Sequence, residues 1–149
     1  MPDPKDLYYI AVKLFLVDGP PGGEASKLFI FKDKFGDWDL PGGRIRKDEF
    51  DTPLEEVIKR KILEELGDDV RYEIGKPVVF FRHERIENSS GQSVRIFAVG
   101  YEAKFLGGKI KLSELHTQSE WVDIATFKPE DYFTGGWLKG VKEYLDRHS

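Results

Sequence analysis

The residues best placed to do chemistry gather in one stretch, Leu40–Gly67, with the sequence LPGGRIRKDEFDTPLEEVIKRKILEELG. Its second half reads as a helix. With side chains spaced about 100° apart around the axis, Leu54, Val57, Ile58, Ile62 and Leu66 form one apolar arc. Lys61 and Glu65 fall inside that arc, and Glu64 lies at its margin. Charges on an inner face need partners, because a buried unpaired carboxylate is costly. Two arrangements satisfy them. Lys61 can pair with Glu65 at i, i+4, reinforced by Lys61–Glu64 at i, i+3, or the glutamates can hold a hard divalent cation through oxygen. The helix alone leaves both open.

Local signals set the boundaries of this element. Thr52 can cap the helix, Pro53 suits a first helical position, and Gly67 suits the residue just past the end. Upstream, Pro41-Gly42-Gly43 reads as a tight turn whose backbone can approach another group closely.

The whole chain must position this stretch. Its 149 residues suffice for one core, so residues 1–149 are expected to form a single domain. Hydrophobic residues make up 40% and charged residues 34%, a balance unlike that of disordered chains. No run nears the roughly 18 apolar residues of a membrane span, and MPDPKDLYY lacks a signal-peptide pattern, so a cytoplasmic setting away from membranes is expected. Without cysteine there is no disulfide framework, thiolate zinc site or thiol nucleophile. A net charge of −4 argues against nucleic acid as a partner, but a small phosphorylated ligand needs only a few local cations and a divalent metal.

Alternation and turn residues outline the other elements. Leu7–Val17 reads as a mostly buried strand, Asp18–Ser26 as a Pro- and Gly-broken loop, and Lys27–Phe31 as a second strand. Pro77–Phe81 is an apolar run that continues with charge through Arg82–Arg85, and Ser93–Phe105 is a long strand. Ser113–Ser119 reads as a polar loop, Trp121–Ile124 as a short strand, and Trp137, Leu138, Val141, Tyr144 and Leu145 as one face of a closing helix. This order implies an α/β fold with a mixed sheet between helices.

The central stretch resembles the Nudix box, G-x5-E-x7-R-E-U-x-E-E-x-G-U, where U is apolar. Gly43 and Glu49 fit its first half, and Arg60, Glu64, Glu65 and Gly67 its second. Three departures stand out. Ten residues separate Glu49 from Arg60, Lys61 replaces the first glutamate of R-E-U-x-E-E, and Asp68 replaces the last apolar residue. The resemblance implies a Nudix-type α/β/α sandwich and a hydrolase acting on a nucleoside diphosphate linked to another moiety.

The resemblance also implies roles. Glu64, Glu65 and the Gly42 carbonyl would bind Mg²⁺ or Mn²⁺, and Glu49 and Arg60 would pair to hold the loop against the helix. Arg60 and Glu64 also join His116 in the implied catalytic set, while the expected substrate contacts are Arg44, which follows the glycine pair, Arg82, on a strand that could line a pocket, and Trp38. Within the family, the chain is similar to the GDP-mannose mannosyl hydrolases, whose reduced box lacks the glutamate that Lys61 replaces and whose base is a histidine from a late loop. The shared residues are Gly42-Gly43-Arg44, Lys47-Asp48-Glu49 and His116, five residues before Trp121, although Leu115 stands where that branch has a glutamine. Nucleotide sugars are therefore the favoured substrates. An ADP-ribose, nucleoside triphosphate or dinucleotide pyrophosphohydrolase is the alternative, as is a catalytically impaired nucleotide-binding domain. A homodimer stays open.

Overall fold

A computed structural model describes residues 3–20 and 26–147. Among these described residues, seven strands and two α-helices follow one another as β1 (Tyr9–Asp18), β2 (Lys27–Asp33), β3 (Trp38–Asp39), β4 (Gly42–Arg44), α1 (Leu54–Leu66), β5 (Arg71–Ile86), β6 (Ser93–Gly107), β7 (His116–Asp123) and α2 (Gly135–Asp146). The strands form one mixed sheet in the order β3-β2-β1-β6-β5, with β4 also pairing β1 and β7 also pairing β2. β1 and β6 run parallel, while the other pairings are antiparallel.

Alternation along β1 explains how one strand supports both helical layers. Val12, Leu14 and Leu16 join α1 residues Val57, Ile58, Ile62 and Leu66 in one core. Phe15 and Val17 point the other way, into a core with Val141 and Tyr144 of α2. Burial on both faces accounts for the nearly unbroken apolar run, as in other covered sheets. Each fully buried Leu or Ile contributes about 1.5–3 kcal/mol. The stacking of Phe15 on Tyr144, with ring centroids 4.2 Å apart, ties the central strand to α2. Pro77 fits β5 because that strand ends the sheet order, where a missing donor is tolerated, and the register shifts around it.

Several local expectations need correction. Gly42 and Gly43 form a strand rather than a tight turn, with Val12↔Gly43 and Lys13↔Gly42 as pairs. The close approach expected there is to the protein's own backbone. Gly42 has φ 130°, and a Cβ on it would lie 2.0 Å from the Val12 carbonyl oxygen. Pro53, in extended conformation, is itself the residue preceding α1, so Thr52 does not cap the helix. The expected loop Ser113–Ser119 gives way at His116 to β7, whose polar residues belong to a sparsely covered strand paired with β2. The loop expected over Asp18–Ser26 falls largely on residues 21–25, outside the described residues.

Candidate active site

A 3-10 turn at Lys47–Glu49 brings Glu49 under α1. There its carboxylate accepts Arg60 Nε–H at 2.6 Å and Nη2–H at 2.8 Å, and the Arg46 backbone N–H at 2.9 Å. These bonds, the Arg60 one foremost, hold the Glu49 carboxyl below its ordinary value despite burial. Arg60 also donates to Glu64 at 3.1 and 3.3 Å and to the Arg44 carbonyl at 3.4 Å. Burial raises the Glu64 pKa, but the Arg60 hydrogen bond and the Lys61 and Arg60 charges outweigh it, leaving the carboxyl below its ordinary value.

The next residue of α1, Glu65, is 8% exposed and accepts the Gly42 N–H at 2.8 Å. Burial pushes its pKa up to about 7, against the opposing charges of Lys13 and Lys61. Lys61 pairs with Glu64, at 3.5 Å, so the expected main pairing with Glu65 gives way to the i, i+3 contact. The stem of Lys61 runs across Gly43, where a Cβ would lie 2.5 Å from Lys61 Cε. Lys13 is 4% exposed and holds Asp39 at 3.0 and 3.1 Å and the Leu40 carbonyl at 3.3 Å.

β7 delivers His116 to the same cluster. Its Nε2 lies 3.7 Å from Glu65 Oε2, its Nδ1 3.0 Å from Ser113 Oγ, and its ring stacks on Phe31 at 3.7 Å. Burial lowers its pKa, so the ring is neutral at neutral pH and able to accept a proton.

Beside this cluster lies a cavity of about 370 Å³, within the usual range for small-molecule sites. Trp38, Tyr132 and Trp137 give it aromatic walls, His83 and Arg85 enter from β5, and Asp33, Asp37 and Asp39 add acid. Trp38 packs edge-on against Tyr132 at 5.0 Å, and Trp137 stacks with His83 at 4.7 Å. His83 Nδ1 accepts the Gly136 N–H at 3.0 Å, which fits a neutral ring, and burial lowers its pKa. Asp39 connects the two regions, because it lines the cavity and holds Lys13.

The structure thus brings Gly42, Glu64, Glu65, Arg60 and His116 together, with Trp38 on the adjoining cavity. Arg44 lies nearby but bonds Glu87 and covers Tyr9, 4.7 Å from the ring. Arg82 lies elsewhere. Alternation along β5 turns His83 and Arg85 toward the cavity and leaves Arg82 exposed beside Phe80 and Lys139. Lys13, Asp39 and Trp137 escape a reading of the sequence. The available signal was one lysine inside a strand otherwise apolar on both faces.

These residues do not fit a divalent cation. Glu64 is already shared by Arg60 and Lys61, and the Gly42 N–H fixes one oxygen of Glu65. Among the described residues, no three His, Asp or Glu side chains are grouped to hold a metal ion. The Lys61 ammonium adds repulsion. At a separation of roughly 5 Å and an effective dielectric of about 20, it would oppose a divalent cation by about 7 kcal/mol, whereas Asp39 offsets the charge of Lys13.

No family model matches the chain, and no curated protein matches it. Solved structures do. MutT protein from Methanosarcina mazei Go1 superposes with a TM-score of 0.72 at 22% identity, over 97% of each chain. A possible asymmetric diadenosine tetraphosphate hydrolase from Jonesia denitrificans gives 0.71 at 16% identity, over 95% of each chain. The NUDIX domain of Shewanella oneidensis NrtR, complexed with ADP ribose, gives 0.62 at 17% identity, over 97% of this chain and 91% of that one. The chain has the Nudix fold.

Proposed function

We propose that this domain hydrolyses a nucleoside diphosphate linked to another moiety, with nucleotide sugars as the favoured substrates. The placement of His116 carries this reading. A neutral imidazole, its side chain only 7% exposed, stands beside Glu65 of the box, next to an aromatic cavity. Support for the ligand class comes from the similar structures, which include one described as a possible diadenosine tetraphosphate hydrolase and a domain holding ADP ribose. The base stacks on the Trp38–Trp137 walls, and the diphosphate lies toward Arg60, Lys61 and Arg44. His116 takes a proton from the water that attacks the anomeric carbon, and the C–O electron pair leaves with the diphosphate. Free sugar and a nucleoside diphosphate result.

A specific observation favours a second reading, nucleotide binding without turnover. Lys61, where the box has a glutamate, occupies Glu64. A panel of nucleotides and nucleotide sugars separates the two readings when scored for free sugar and for phosphate, with Mg²⁺, Mn²⁺ or chelator. Release of sugar supports the proposal, phosphate-only products favour a pyrophosphohydrolase, and binding without any product favours the second reading. The three buffers test the Mg²⁺ or Mn²⁺ dependence that the resemblance implies.

A further inference from the structure

We propose that the box site receives the diphosphate group of its ligand on lysine rather than on a divalent cation, so that binding requires no metal. This rests on the ligand class proposed above, but not on hydrolysis. Lys61 and Lys13 both lie close enough to Glu65 to act on its charge, and their situations differ. Lys13 is buried, and the Asp39 carboxylate and the Leu40 carbonyl take up its donors. Its charge is matched by Asp39, and its donors are not free for a ligand. Lys61 retains donors. Its ion-pair partner among the described residues is Glu64 at 3.5 Å, and Glu64 is itself held by the closer Arg60.

The position of Lys61 is built rather than incidental. Its stem crosses β4 at Gly43, where the missing side chain leaves the room it uses: a Cβ there would lie 2.5 Å from Cε and 3.1 Å from Nζ. The ammonium is thereby held against the strand, on the inner side of α1, where solvent competes less than on an open helix face. Leu115, exposed beside His116, offers no oxygen ligand to a cation. A compact ammonium beside guanidinium groups suits diphosphate oxygens, which accept charge-assisted hydrogen bonds from either. The same ammonium repels a second cation.

Calorimetric titration with inorganic pyrophosphate and with ADP tests this directly, in EDTA and in Mg²⁺. Both probes are expected to bind in EDTA. Lys61→Gln should weaken both at least about tenfold, as loss of one charged hydrogen bond implies, with the thermal midpoint unchanged. Lys61→Arg should retain binding within about threefold, because the charge and donors persist. Lys61→Glu should abolish binding in EDTA and create a Mg²⁺ requirement. No binding in EDTA, or equal affinity in the wild type and Lys61→Gln, overturns the proposal. Turnover does not enter this readout. Pyrophosphate binding without hydrolysis of any substrate counts against the hydrolase reading alone, whereas hydrolysis and binding that both need Mg²⁺ count against this proposal alone.

Discussion

Glu49 and Arg60 meet through two hydrogen bonds of 2.6 and 2.8 Å although ten residues lie between them, three more than in the box pattern. The extra length is taken up by the loop between the 3-10 turn and α1, which leaves Phe50 exposed and the pair undisturbed. Removing Arg60 leaves the buried Glu49 carboxylate with the Arg46 backbone N–H and a 3.7 Å contact to the Arg46 guanidinium. Arg60→Ala is expected to cost about 3 kcal/mol in urea denaturation, in the range for broken buried ion pairs.

The same pair sets a pH dependence. The folded-state pKa of Glu49 lies below its ordinary value of 4.5, chiefly through the Arg60 hydrogen bond. Its contribution is therefore full above the unfolded value and disappears as pH falls through the lower folded value. The stability difference between the wild type and Glu49→Gln should be constant near neutrality and shrink in acid. Urea midpoints measured down the acid limb check this, and a constant difference throughout would contradict it.

Two adjacent glycines should respond differently. Gly42→Ala places a Cβ 2.0 Å from the Val12 carbonyl oxygen at a φ of 130°, so neither space nor backbone permits it. A loss of about 3 kcal/mol or more is expected. Gly43→Ala meets only the far end of Lys61, which can move aside. Its thermal midpoint should stay near that of the wild type, while pyrophosphate affinity falls by roughly tenfold as the ammonium is displaced.

Cavity contacts separate along β5. Trp38→Ala should weaken ADP binding by about tenfold, within the range for one lost base–aromatic stack. Arg85→Ala should weaken it as well, whereas Arg82→Ala should leave it unchanged, because alternation turns Arg82 away from the cavity. Titration of the three variants with ADP checks the assignment.

What could be read from the chain follows from how each signal is encoded. Glu65 declared itself as a charge on an apolar helical arc, and the structure buries it there. Glu49 and Arg60 were legible through the box pattern despite altered spacing, because a hydrogen-bonded pair is set by where two elements meet. Gly42-Gly43 misled, since glycine serves equally for a turn and for a strand pressed against a neighbour's backbone. The first part of β7 was hidden by the polar side chains of a sparsely covered strand, whereas its end at Trp121 was legible. Lys13 was hidden differently: its partner Asp39 lies 26 residues away, and only β3–β2–β1 pairing brings them together.

Hydrolysis of nucleotide sugars in ¹⁸O-labelled water tests the central claim most directly. With GDP-mannose and UDP-glucose as probes, attack at the anomeric carbon puts the label in the free sugar and leaves the nucleoside diphosphate unlabelled. His116→Ala is expected to slow that release by about 10²–10⁴-fold, the usual worth of a general base. Label in a phosphate product, or an unchanged rate in His116→Ala, would contradict the assignment of His116 as the base for C–O cleavage.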